Sequence, residues 1–278
     1  MLKVIKLVIL SIAVLFLASF LFDYFIQRDT HTIYVGVDPY SAPFSSSNNV
    51  GELRGFDVDL VNAIAKAIDV NIEFRIIPFS NLEKSLINNQ IDLFIAPFDT
   101  VQTKLPSEYL YTLPYFRNNI VAITKTQKLS HELFARNKVL STSVCITDKP
   151  HVLKYVRQNK NKVIKVYANS SELFSAMYKG DCQVIYDSYS SARYYITKHK
   201  LEELEIKNVD ADKHFHLYRI ILSLEHQKLR DKINQALIYI YQTDLLNRLN
   251  QKWFSSKANI IISNDSENIY KTTQKAHH

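Results

Sequence analysis

Residues 32–96 switch repeatedly between the two-residue period of a strand and the longer period of a helix, and this switching constrains the fold more than any other feature. Residues 32–37 form a short apolar run. Val58, Val61, Ile64, Ala65 and Ile68 then recur at helical spacing. Residues 71–77 alternate as a strand, 81–87 return to a helical pattern, and 91–96 are again an apolar strand. Strand, helix, strand, helix, strand in so little chain predicts a parallel sheet covered by helices. Strand patterns follow at 120–124, 138–141, 162–167 and 183–186, with helical stretches at 130–135, 151–158 and 171–179. The rhythm therefore occurs twice and predicts two α/β lobes with a ligand cleft between them, facing the carboxyl ends of parallel strands. A late strand at 217–223 and an amphipathic helical region at 230–253, broken near Thr243, complete the pattern.

The N-terminus reads differently. Lys3 and Lys6 precede an uncharged stretch, residues 7–22, which Asp23 ends. That is the plan of a signal peptide or a signal anchor. The stretch is short for a membrane span, and the cleavage site near Ala18 and Ser19 is weak, so removal and retention as an inner-membrane anchor are both open. With the positive residues ahead of the span, the body of the chain is expected outside the cytoplasm.

Composition excludes several classes. The formal charge is +7, but Lys and Arg are scattered among 27 acidic residues without a long basic run. No nucleic-acid partner is expected. Only four glycines are present, and neither phosphate-binding glycine pattern occurs, so no nucleotide cofactor is expected. No zinc spacing and no nucleophile elbow occur. Cys145 and Cys182 could pair in an exported protein, but two cysteines are no disulfide framework and sequence does not show that their geometry fits. The unpaired state is the expectation.

Five segments carry a resemblance. They are VGVDPYSAPF at 35–44 with GFDVDL at 55–60, IDLFIAP at 91–97, LPYF at 113–116, GDCQVIYDSYSSARYY at 180–195, and a helix ending in KWF at 252–254. In this order and spacing the chain resembles the bacterial extracellular solute-binding proteins, family 3, which capture amino acids for ABC importers. The resemblance implies a two-lobed periplasmic binding protein fold with a hinge. Residues 1–29 are the signal peptide or anchor, 30–258 the solute-binding domain, and 259–278 a polar tail. Lobe 1 takes about 32–120 and 216–258, and lobe 2 about 121–215. The implied partners are a small-molecule ligand, an amino acid or related amine, and an ABC transporter permease. The implied location is the periplasm, either soluble or anchored.

The same resemblance implies site residues. Asp187, at the end of a strand, matches the acid that holds the ligand's ammonium. Phe44 or its neighbour Tyr40 would wall the ligand, although core packing explains Phe44 equally well. Asp38 would contact ligand or order its loop. At 97–104 the chain departs from the family: Asp99 and Val101 replace two hydroxyl residues, leaving Thr100, and Lys104 stands in for a carboxylate-binding Arg. Lysine lacks the bidentate fork of arginine, and Arg117 is a second candidate for that role. Asp99 would repel an α-carboxylate, so a cationic or polyamine-like ligand stays in view. Lobe 2 lacks the family's Gly-Thr-Thr turn, and Thr142 and Ser143 are the hydroxyl contacts expected there. Asp57 and Asp59 are read as structural, since negative charge suits a helix N-terminus. Two other functions remain open. One is an anchored sensor or partner-binding module with a degenerate site. The other is an enzyme resembling the cyclohexadienyl dehydratases.

Overall fold

The structure, a computed structural model, describes residues 32–48, 50–98, 109–125, 143–147, 149–158, 163–209 and 216–254. Strands β1 (Ile33–Val37), β2 (Tyr40–Ser41), β3 (Ser45–Ser47) and β4 (Leu53–Arg54) lead into helix α1 (Phe56–Ile68). Then come β5 (Ile72–Ile76), α2 (Phe79–Ile87), β6 (Leu93–Ile95), β7 (Tyr109–Tyr111), β8 (Phe116–Asn118) and β9 (Ile120–Thr124). The middle of the chain forms β10 (Ser143–Thr147), α3 (Pro150–Gln158), β11 (Val163–Tyr167), α4 (Ser170–Lys179), β12 (Val184–Ser188), α5 (Tyr189–His199) and β13 (Glu205–Asn208). It returns through β14 (His216–Tyr218) and β15 (Ile221–Ser223) to α6 (Gln227–Gln242) and α7 (Leu245–Phe254).

Two five-stranded sheets make the two lobes, in the orders β5-β1-β6-β15-β7 and β11-β10-β12-β9-β13. In each, the three strands joined by helical crossovers are parallel, as their rhythm predicts. The remaining strands, β15 and β7 in the first sheet and β9 and β13 in the second, run antiparallel to their neighbours. The chain passes between the sheets twice, through β8 and β14, which pair with each other. The late strand expected at 217–223 is therefore two short strands, one in the crossing and one in the first sheet.

The segments that carry the resemblance, apart from 180–195 in lobe 2, meet in the core of lobe 1. Phe44, Phe56, Tyr115, Phe116, Tyr218 and Phe254 are all buried in one cluster. The Phe44 ring stands 4.9 Å from Phe116, 5.5 Å from Tyr218 and 5.6 Å from Phe254. Such aromatic pairs add about 0.5–1.5 kcal/mol each beyond the area they bury. Asp59 accepts hydrogen bonds from Trp253 Nε1 and Lys252 Nζ, both at 2.7 Å, which ties the final helix to α1. Its role is structural, as expected.

Gly55 sits at the entry to α1 with φ 149°, a conformation that side chains rarely adopt. A Cβ there would lie 2.0 Å from the Phe44 carbonyl oxygen. That oxygen accepts from Asp57 N–H at 2.8 Å, and the Pro43 carbonyl accepts from Phe56 N–H at 3.0 Å. Glycine is thus needed where two backbone segments touch.

Asp57 follows at once, fully buried. Its Oδ2 is 3.3 Å from Tyr115 Oη, which also lies 2.9 Å from the Ala96 carbonyl oxygen. A tyrosine hydroxyl has one proton. It serves Ala96 at the shorter distance, and a protonated Asp57 would donate to Tyr115 in turn. Burial pushes the Asp57 pKa well above its ordinary value, in keeping with that arrangement.

The reading of the cysteines needs correction. Cys145 and Cys182 form a disulfide across 37 positions of lobe 2, against the unpaired expectation. The reason is local: Cys145 lies in the middle of β10, and Cys182 lies just ahead of β12, which pairs with β10. The strand expected at 138–141 lies outside the described residues, and the strand preceding α3 is β10. His216 is buried in β14.

Candidate functional site

A cleft of about 210 Å³ lies between the lobes. Lobe 1 contributes Asp38, Tyr40 and Ser41, just beyond β1, with Pro97 beyond β6 and the first residues of α2. Lobe 2 contributes Thr147 and Lys149, beyond β10, and Ala168 to Ser170, between β11 and α4. These are the carboxyl ends of parallel strands in both sheets, the position that topology predicts for a ligand.

Asp38 is buried at the lobe 1 wall. Its Oδ1 accepts from the Phe79 N–H at 3.2 Å, and its Oδ2 accepts from the Ser41 hydroxyl. The carboxylate thereby caps α2, where negative charge meets the positive end of the helix dipole. Each carboxylate oxygen has two lone pairs, so acceptor capacity remains. Burial raises the Asp38 pKa; the hydrogen bonds and the charge of Lys149 partly offset the rise. The chain loops from β1 through this point because Pro39 and Pro43 cannot continue a central strand.

Lobe 2 holds a second buried carboxylate, Asp187, near the end of β12. Its Oδ1 accepts from Lys149 Nζ at 3.0 Å and from the Ser188 N–H at 2.8 Å. Its Oδ2 lies 3.4 Å from the Ser170 hydroxyl. Lys149 Nζ also reaches Ser191 Oγ at 3.1 Å and Ser188 Oγ at 3.5 Å. An ammonium has three donors, and this one has three acceptors, all from lobe 2. The chain's own lysine therefore occupies the carboxylate that the resemblance assigns to a ligand ammonium.

Two features of lobe 2 also line the cleft, Thr147 and the start of α4. Thr147 is buried, and its Oγ1 has no hydrogen-bond partner among the described residues. Helix α4 begins at the cleft, and Asn169 caps it by accepting from the Glu172 N–H at 3.0 Å. A helix N-terminus suits a carboxylate or carbonyl oxygen.

The other expected residues fall in varied places. Tyr40 is 64% exposed and lines the cleft. Phe44 lies in the aromatic core, the alternative left open above, and does not line the cleft. Arg117 lies in the crossing strand β8, opposite Leu217 of β14. Ser143 opens β10 and donates to the Asp181 carbonyl at 2.9 Å. It is at the end of the strand away from Thr147, the β10 residue that lines the cleft. Asp99, Thr100, Lys104 and Thr142 lie outside the described residues.

Lys149 and Thr147 were missed because the lobe 2 turn was placed some five residues too early. The signal was present. Val144 and Ile146 alternate as a strand, and Pro150 suits the first position of a helix. The turn between them holds Thr147 and Lys149.

The family described as bacterial extracellular solute-binding proteins, family 3, matches residues 33–256. Among curated proteins, the chain is similar to the arginine-binding periplasmic protein of Mannheimia haemolytica. The two are 25% identical over 242 residues, which cover 87% of this chain and 98% of that protein. Among solved structures, the fold is similar to that of the arginine-, lysine-, histidine-binding protein from Geobacillus stearothermophilus. The TM-score is 0.70 at 20% identity, covering 81% of this chain and 96% of that one. It is also similar to the substrate-binding protein of an ABC uptake transporter from Streptococcus pneumoniae with bound histidine. Here the TM-score is 0.72 at 20% identity, covering 85% and 98% of the two chains.

Proposed function

This chain belongs to the bacterial extracellular solute-binding proteins, family 3, and on that premise we propose which end of the solute each lobe holds. The protein binds a small polar solute, an amino acid or related amine, outside the cytoplasm and delivers it to an ABC importer. Its relatives and structural neighbours named above are binding proteins, and the dehydratase reading has no support among them.

Asp38 receives the cationic group of the solute. The observation that carries this assignment is its place on the cleft wall together with the occupation of Asp187 by Lys149. Thr147 and the start of α4 receive the acceptor end. Closing the lobes over such a solute excludes water and strengthens its charge contacts. Among the described residues no helix is long and apolar enough to cross a membrane. Lys3 and Lys6 ahead of the uncharged residues 7–22 support export, by a cleaved signal or a retained inner-membrane anchor.

Calorimetric titration of the purified protein with the standard amino acids and putrescine tests the reading. A saturable signal that weakens in Asp38→Asn supports it. A ligand bound equally well by the folded variant removes Asp38 from the cation site.

A further inference from the structure

The two buried carboxylates described at the cleft differ in what they can accept. Asp38 is capped by neutral donors, the Ser41 hydroxyl and the Phe79 N–H. Asp187 already has a cation. Its partner Lys149 comes from the loop after β10 and is itself nearly buried, with 11% of its side chain exposed. The three acceptors around that ammonium, Asp187, Ser188 and Ser191, form a complete ammonium site, and the protein fills it. A solute bringing a second positive charge to lobe 2 would find no free carboxylate among the described residues lining it, and would approach Lys149. Burying a cation without a partner is strongly unfavourable.

We infer that Lys149 is a specificity-determining residue: it occupies the lobe 2 cation site, so that the preferred solute carries one cationic group, held at Asp38, and presents only acceptor atoms to lobe 2. This rests on the solute-receptor reading above and narrows it. The ligand class is a carboxylic acid with a single amine or guanidine, rather than a dicationic amino acid or a diamine. Thr147 Oγ1, unpartnered among the described residues, and the opening turn of α4 supply donors for the carboxylate.

Two matched pairs of probes separate the possibilities. Lysine and 6-aminohexanoate differ only in the α-ammonium, as do arginine and 5-guanidinopentanoate. Calorimetry on the wild-type protein is expected to show each analogue binding more tightly than its parent amino acid. In Lys149→Met, which keeps the length of the side chain and removes its charge, the order is expected to reverse, with lysine or arginine gaining about tenfold or more as its ammonium replaces the missing one. The wild-type comparison needs no variant and stands if Lys149→Met fails to fold. Tighter binding of the parent amino acids by the wild type would overturn the inference while leaving the receptor reading intact. Silence of all four probes toward the wild type, with lysine or arginine binding only to Lys149→Met, would support it. Silence of all four toward both folded proteins would overturn it. The receptor reading fails separately, when the wider panel of amino acids and amines yields no ligand.

Discussion

The ammonium of Lys149 lies 3.0 Å from Oδ1 of Asp187, beside the cleft and within lobe 2. Asp187 is fully buried and its lysine partner nearly so, so neither charge is left to water. This one contact decides how the cleft is divided. It makes an internal ion pair of the carboxylate that the resemblance implies is a ligand subsite, and it is the ground on which Asp38 is proposed as the acceptor for a cationic solute.

Removing one member of that pair should destabilise the fold. Lys149→Met leaves a buried carboxylate without its cation, at a cost of about 3–5 kcal/mol. Lys149→Met combined with Asp187→Leu should recover most of the loss, because no charge is stranded. Urea denaturation of the two single variants and the double variant measures this. Additive losses would mean that the pair is not coupled.

Ligand affinity should fall in mild acid. A cationic solute needs Asp38 ionised, and burial holds its pKa above the ordinary value of 3.8. Affinity is therefore present above the folded pKa and lost as pH falls through it, at a higher pH than an ordinary aspartate would give. The groups acting on Asp38 are the Ser41 hydroxyl, the backbone N–H groups of Phe79 and Tyr40, and the opposing Lys149 charge. Titration of binding against pH checks this, and Asp38→Asn should flatten the profile.

Asp57 should set a second pH dependence, in stability. Its folded pKa is raised well above 3.8. The folded state then keeps a proton that the unfolded chain releases. Stability from the protonated group is complete below the unfolded pKa and is lost as pH rises toward the folded pKa. Within that window the loss is at most about 1.4 kcal/mol per pH unit. Asp57→Asn mimics the protonated acid and should lose less stability than the wild type as pH rises. Chemical denaturation across that pH range would show it.

The disulfide should contribute to lobe 2. It closes a loop between positions 37 apart, for which chain entropy gives roughly 4 kcal/mol and measured bridges commonly give about 2–4. Cys145→Ala with Cys182→Ala should lower stability by that order in denaturation experiments. Binding at the cleft should persist at temperatures where the variant is folded, since neither cysteine lines the cleft.

Much of the fold was legible because it rests on local signals. Apolar periodicity located α1 and β5, and Thr243 does end a helix, α6. Gly55 opens GFDVDL, and only glycine accepts its positive φ cheaply. The site was less legible because strand ends depend on register. A shift of about five residues replaced Thr147 and Lys149 with Thr142 and Ser143. The family-like aromatics misled differently. Phe44 was left between core and ligand wall, and the sequence could not show that Phe116, Tyr218 and Phe254 surround it. The Lys149–Asp187 pair joins residues 38 positions apart, a contact that no local pattern announces.

The most direct test is calorimetric titration of the wild-type protein and Asp38→Asn, side by side, with the standard amino acids and putrescine. The account predicts a saturable ligand of micromolar or tighter affinity for the wild type, weakened by about tenfold or more when the carboxylate becomes an amide. A folded wild-type protein that binds none of them, or a ligand held with equal affinity by both proteins, would contradict it.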